Sequence, residues 1–369
     1  MAPEPPGGAS ISSPDASEMN ADAPLDALVP EPFRQLEDPA RDLPRIAKDR
    51  SAMAKIRAAV AQVPTRHRLL LGDARRAVLP ADSVHLVLTS PPYWTLKEYR
   101  RSEGQLGWVA DYDEFLDQLD EVWRTCHRAL VPGGRLICVV GDVCLSRRRN
   151  SGRHTVVPLH ASIQERCRAL GFDNLAPIIW HKIANAAHEV ERGTGGFLGK
   201  PYEPNAVIKN DVEFILMQRK AGGYRRPSRA ARTLSLLSEA SFKTMFRQVW
   251  TDIAGASTRD HPAPYPVALA DRLIRMFSFV GDTVLDPFTG TASTQVAAAA
   301  CGRNTLGIEV DPVYYEGGLA RLRRGVGAVP HRVEVDAITD RQQLCQAQHR
   351  VRGNGIRACC ACESTTEVW

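Results

Sequence analysis

The chain has 369 residues, 44% of them apolar and 24% charged, with a formal net charge of +5. That length fits one large α/β domain with an insertion, or two small domains, and supplies a sizeable core. No apolar run nears the roughly 18–20 residues of a membrane helix, and the N-terminus lacks the basic start and apolar core of a secretory signal, so a cytoplasmic protein is expected.

Residues 1–38 hold eight acids against the single base Arg34. Rich in Pro, Ala and Ser and without an apolar period, residues 1–40 predict a disordered acidic tail. The remaining body is basic, which suits a polyanion partner. Residues 41–63 predict one basic helix with Ile46, Met53, Ile56 and Val60 on one face. Residues 68–71 predict a strand that ends at Gly72-Asp73, where Asp73 is either an ordinary turn aspartate or a site residue. Val84 to Leu88 form an apolar, β-branched run, read as a short buried strand. It leads directly into Thr89-Ser90-Pro91-Pro92-Tyr93-Trp94. Two prolines forbid a helix and fix a rigid turn, so Ser90 and Tyr93 stand at a strand's carboxyl end, where open α/β sheets place their chemistry. Alone, this stretch also reads as a rigid turn on a core or a proline-rich ligand motif.

Residues 112–130 carry Phe115, Leu119, Val122, Cys126 and Ala129 at helical spacing, and Val131-Pro132-Gly133-Gly134 ends that helix. Residues 135–140 predict the next strand, closed by Gly141-Asp142. The loop Arg147, Arg148, Arg149 to His154 is either a solvated surface loop or a phosphate contact. Residues 158–170 predict a helix, 175–182 and 211–218 predict strands, and 189–202 is glycine-rich. From 219 to 232 six bases, Arg219, Lys220, Arg225, Arg226, Arg229 and Arg232, occur without an acid, which predicts DNA contact; arginine or lysine bidentate to guanine is the expected readout.

Downstream, residues 267–279 predict a helix. Thr283 to Asp286 predict a strand, Pro287-Phe288-Thr289-Gly290-Thr291-Ala292 a small-residue loop, and Ser293 to Ala300 a helix. Such a unit lets backbone amides reach a ligand at a helix amino end. Glu309 ends the next strand about twenty residues on, where an acid can accept both hydroxyls of a ribose. Gly290-Thr291-Ala292 is not the Gly-x-Gly-x-x-Gly of a nicotinamide site. The nine cysteines lie mostly in apolar segments; Cys359, Cys360 and Cys362 cluster without a second pair at zinc spacing, and no ligand set predicts a metal.

The two stretches together resemble the Ser/Asp-Pro-Pro-Tyr and Asp-Pro-Phe-x-Gly signatures of the DNA amino-methyltransferases. Their order, acceptor motif first, resembles the permuted class termed beta. The resemblance covers roughly residues 65–325. It implies an α/β, permuted Rossmann-like S-adenosylmethionine-dependent methyltransferase fold over 41–328, with an inserted DNA-recognition region at 185–260 and a tail of unknown order at 329–369. It implies S-adenosyl-L-methionine as cofactor, duplex DNA as partner, and a setting either with a paired restriction endonuclease or as a solitary enzyme.

By resemblance, Asp73 lies near the adenine, and Asp286, Phe288 and Gly290 border the methionine and adenosine parts. Thr291, Ser293 and Thr294 hold the carboxylate. His261, otherwise a loop histidine, belongs to a segment closing over the methionine end. The family's second loop glycine is Ala292 here, which is expected to fit with a negative φ. On the acceptor side, Ser90 Oγ and the Pro91 carbonyl would accept the amine N–H, Pro92 would stiffen the turn, and Tyr93, helped by Trp94, would stack on a flipped base. Family members with serine in this motif mostly modify cytosine N4, and those with Asp or Asn mostly adenine N6. The absence of a Pro-Cys nucleophile argues against cytosine carbon 5. An adenine-N6 enzyme, an RNA or small-molecule methyltransferase, and a DNA-binding protein with a decayed site are the alternatives.

Overall fold

The computed structural model of the chain describes residues 25–182, 210–256, 265–326 and 333–338. Helices α1 (Leu25–Leu28), α2 (Pro39–Lys48) and α3 (Arg50–Val60) precede strands β1 (Thr65–Leu71) and β2 (Val84–Thr89). Helix α4 (Tyr112–Ala129), β3 (Leu130–Val140), the hairpin β4 (Val143–Leu145) and β5 (Thr155–Val157), α5 (Leu159–Ala169) and β6 (Phe172–His181) follow. Next come β7 (Val212–Lys220), α6 (Arg229–Leu234), α7 (Glu239–Met245) and β8 (Val249–Trp250). The chain continues through α8 (Val267–Phe277), β9 (Thr283–Asp286), α9 (Ser293–Ala300), β10 (Asn304–Glu309), α10 (Pro312–Val326) and β11 (Val333–Ile338).

Nine of these strands form one sheet in the order β11-β1-β10-β9-β2-β3-β7-β6-β8, and only β7 runs against the rest. Strand alternation sends Val87 to one face and Leu86 and Leu88 to the other. Val87 joins Phe115, Leu119 and Trp123 of α4. Leu86 and Leu88 pack with Leu269 and Leu273 of α8 and Ala297 of α9. Both faces are therefore covered, as a mostly parallel sheet requires, and each such apolar side chain contributes about 1.5–3 kcal/mol. Helix α4 starts where Asp111 accepts from the Glu114 amide at 2.8 Å, with Asp113 and Glu114 in its positive first turn. The late strand β9 pairs with the early strand β2 (Leu86 opposite Val284, Val87 opposite Leu285), which brings the two motifs to neighbouring carboxyl ends.

Several expectations need correction. Within the region read as tail, residues 25–40 fold onto the body: Val29 and Leu36 are buried against Ile46, Ile56 and Leu234, so apolar residues spaced too widely to show a period still find a core. The single helix expected over 41–63 is two, because the Asp49 side chain leaves the helix and accepts from Ser51 and Ala52 to start α3. Within the region read as an insertion, residues 210–256 include β7 and β8, which are strands of the main sheet. Beyond 328, Val333–Ile338 adds an edge strand parallel to β1.

The basic run lies away from the motifs. Because β7 is antiparallel, Arg219 sits opposite Arg135 at the middle of β3, whereas Phe214 sits opposite Val140 at its carboxyl end. Five residues of strand separate these levels, about 16 Å. Moreover, Arg219 pairs with Asp173, Lys220 with Asp82 and Arg225 with Asp282, acids distant in sequence. Arg226, Arg229 and Arg232 are exposed on the same far edge. Three of the six bases expected to contact DNA are thus held by acids, and three stand exposed.

Candidate active site

The carboxyl ends of β1, β2, β9 and β10 surround a small, partly open cavity of about 50 Å³. Its wall includes Asp73 after β1, Ser90 and Pro92 after β2, Phe288 and Gly290 after β9, and Glu309 at the end of β10. Tyr99, Leu106 and Tyr314, which the sequence did not single out, complete it. Acceptor and cofactor motifs thus share one space.

Glu309 is 7% exposed and holds the loop by backbone contacts: one carboxylate oxygen accepts from the Gly290 amide at 2.8 Å, the other from Asp311 at 2.9 Å. Burial pushes its carboxyl up from 4.5 to about 7, against those two amides. Asp73 accepts from the Arg75 amide and forms a 2.6 Å ion pair with its guanidinium, so it is both turn aspartate and cavity wall.

Asp286 is buried and fully engaged, accepting from Thr89 Oγ1 at 2.8 Å, the Phe288 amide at 3.1 Å, Thr294 Oγ1 at 2.5 Å and Tyr265 Oη at 3.2 Å. Burial raises its pKa. It ties β2, β9, α9 and the segment before α8 together. Thr291 and Ser293 bond to Arg321 of α10. Asp286, Thr291, Ser293 and Thr294 therefore brace the loop from behind, and none is part of the cavity wall. His261 lies outside the described residues.

Ala292 does not take the expected negative φ. It caps α9 in the left-handed region at φ 61°. The Cβ has room because Gly318 of α10 faces it: a Cβ on Gly318 would lie 3.4 Å from that of Ala292 and 2.8 Å from the Gly290 oxygen. The left-handed backbone costs an L-residue roughly 1–2 kcal/mol, partly offset by the extra unfolded-state entropy of glycine. Ala292→Gly should stabilise the fold by about 0.5–1 kcal/mol. Urea unfolding with an unchanged m-value checks this.

On the acceptor side, Ser90 Oγ donates to Tyr93 Oη at 3.1 Å, and Tyr93 Oη lies 3.2 Å from the Glu213 carboxylate at the start of β7. Lys182, just past β6, donates to the other Glu213 oxygen at 2.7 Å. Burial, then the nearby Glu213 charge, pushes the Tyr93 phenol well above its ordinary value. Tyr93 is only 5% exposed, so its ring is packed in the core beside the cavity and is not an open platform. The Trp94 indole donates to the Val109 carbonyl at 2.9 Å and meets Tyr112 edge-on at 5.0 Å. Beside them, Asp142 binds His160 Nδ1 at 2.6 Å, and the imidazole stacks on Phe214 at 3.7 Å. Sequence reasoning missed Glu213; its signal was an acid, on the face shared with Ile215, at the apolar end of its strand. The hairpin β4–β5 rises from this same edge and carries exposed Arg147, Arg148, Arg153 and His154.

Residues 84–320, which include both motifs and the strands between them, match the family model described as DNA methylase. The chain belongs to the DNA methylase family. This methylase is 33% identical to the type II methyltransferase M.MjaI of Methanocaldococcus jannaschii over 280 residues, 68% of this chain and 88% of that protein. It is 28% identical to the DNA adenine methyltransferase YhdJ of Escherichia coli over 271 residues, 69% of this chain and 82% of that one. Among solved structures, the Thermus thermophilus protein TTHA0409, complexed with S-adenosyl-L-methionine, superposes with a TM-score of 0.60 at 52% identity, over 73% of this chain and 98% of that one. The Rossmann-like α/β arrangement of the methylase is thus that of its relatives.

Proposed function

We propose that this methylase transfers a methyl group from S-adenosylmethionine to the exocyclic N4 of cytosine in duplex DNA, at a specific site, by flipping the base and transferring the methyl directly in line. The observation that carries this reading is that Ser90 and Pro92 share one cavity wall with Phe288, Gly290 and Glu309. The residues present suit the cofactor. Glu309 is a buried carboxylate with lone pairs left over for ribose hydroxyls, the Gly290 amide is fixed beside it, and Phe288 offers an apolar surface. When bound, S-adenosylmethionine supplies a strongly electrophilic methyl sulfonium, so no covalent intermediate with the protein is needed.

The chain's own work is then positioning. An exocyclic amine is a poor nucleophile because its lone pair is delocalised into the ring. An acceptor for its N–H pulls the nitrogen towards tetrahedral geometry and fixes the line of attack. Ser90 Oγ and the Pro91 carbonyl serve that purpose, and alignment can supply up to about 7–11 kcal/mol. Flipping costs a few kcal/mol, offset by contacts to the base edge. A neutral serine, its own proton held by Tyr93, accepts one amine N–H, and serine in this motif is the form whose resemblance implies cytosine N4. The likeness to a relative named as a DNA adenine methyltransferase supports adenine N6 as the second reading.

Incubating unmethylated plasmid with the protein and methyl-labelled S-adenosylmethionine, then digesting to nucleosides for mass spectrometry, tests the base. Label in N4-methylcytosine is expected; label in N6-methyladenine would move the assignment to the second reading, and no labelled nucleoside would overturn both.

The phosphate contacts are proposed for the loop at the acceptor edge that carries exposed Arg147 and Arg148. Arg148→Ala should lower the slope of log K against log salt by about 0.9. Arg229→Ala should leave that slope unchanged, and filter binding at several salt concentrations reads both.

A further inference from the structure

We propose that Glu213 is a positioning residue of the acceptor site, which sets the direction of the Ser90 hydroxyl through Tyr93 and takes up the proton the amine must lose. The inference rests on the reading of the chain as an exocyclic-amine methyltransferase.

The contacts run in one direction. An ionised carboxylate only accepts, so Glu213 Oε2 draws the Tyr93 hydroxyl proton across 3.2 Å. Tyr93 Oη then accepts from Ser90 Oγ at 3.1 Å. With its own proton committed, Ser90 Oγ faces the cavity with lone pairs, which an amine N–H requires. The Val139 carbonyl competes for the Tyr93 proton from 3.4 Å, but it is the longer contact and carries no charge. Lys182 holds the other Glu213 oxygen at 2.7 Å.

Glu213 keeps an acid, held by Lys182 and Tyr93, at a buried position. It is 8% exposed, on the face of β7 that also buries Ile215, where an apolar residue would avoid desolvating a charge.

The same line balances the reaction. The amine lone pair forms the N–C bond to the methyl carbon as the C–S bond breaks, leaving a neutral thioether and a positive charge on the nitrogen. One N–H proton passes to Ser90 Oγ, the Ser90 proton to Tyr93 Oη, and the Tyr93 proton to Glu213. Serine and tyrosine end as they began, and one carboxyl has gained a proton. The Lys182 ammonium favours return of that proton to solvent before the next turnover.

Single-turnover methyl transfer to plasmid DNA by the full chain tests this, with wild type, Glu213→Gln, Glu213→Asp, Tyr93→Phe and the Glu213→Gln/Tyr93→Phe double variant. Glu213→Gln should slow transfer about 10²-fold while S-adenosylmethionine affinity stays within about twofold, and Glu213→Asp should recover part of the rate. The double variant should be no slower than the slower single one, because both changes cut the same relay. If Glu213→Gln does not fold, Tyr93→Phe, which keeps the ring, should show the loss alone. A folded Glu213→Gln with wild-type turnover, two losses that multiply, or a rate loss that only follows weaker cofactor binding would each overturn the relay. A wild-type protein that transfers nothing to DNA would instead remove the functional reading beneath it.

Discussion

Ser90→Ala is expected to lower the single-turnover rate of methyl transfer by about 10²–10³-fold, with cofactor affinity unchanged within about a factor of two. Ser90 lines the cavity, and its hydroxyl, whose proton is already given to Tyr93, is a neutral acceptor there. Removing it leaves the Pro91 carbonyl to orient the amine alone. The fold should hardly notice, since Ser90 is half-buried and the turn is stiffened by the prolines on its other side. Rapid-quench transfer paired with calorimetry of cofactor binding separates the two effects. A parallel loss of affinity would mean that Ser90 supports the cofactor and not the base.

Glu309→Ala is expected to weaken S-adenosylmethionine binding by about 10²-fold, the loss of two charge-assisted hydrogen bonds at about 1.5 kcal/mol each. The same residue predicts a pH dependence. Its carboxyl is raised to about 7 by burial, and only the ionised form accepts well from ribose hydroxyls. Affinity should therefore rise with pH, by up to about tenfold per unit below 7, and flatten above it. Stability of the free protein should move the other way. A raised folded-state pKa favours folding below the unfolded value of 4.5, and that contribution is lost as pH rises through about 7. The swing is about 3 kcal/mol. Glu309→Gln should remove both dependences, which calorimetry and urea unfolding between pH 5.5 and 8 would reveal.

The strands that carry the site were legible because burial on both faces writes them as apolar runs, and the prolines after β2 mark their own turn. The partner of each strand was not legible. Whether Arg219 lies near Ser90 depends on β7 running antiparallel to β3, and nothing local in residues 212–232 encodes that direction. The same ignorance of partners made the basic run look uncompensated, when Asp82, Asp173 and Asp282 reach it from other strands and loops. The four donors of Asp286 come from three other segments and its own loop, which only the fold assembles. Ala292 keeps the loop's left-handed turn without glycine, a conformation that sequence preference alone argues against.

The central claim is that an acceptor hydroxyl on the β2 turn and a cofactor held by the β9–β10 loops meet in one cavity to methylate cytosine N4. Its most direct test is expression of the wild type and of Ser90→Ala in a methylation-deficient bacterial host, followed by nucleoside mass spectrometry of the genomic DNA. The account predicts N4-methylcytosine with the wild type and none with Ser90→Ala at equal protein level. Equal N4-methylcytosine in both, or methylated DNA bases in neither, would contradict it.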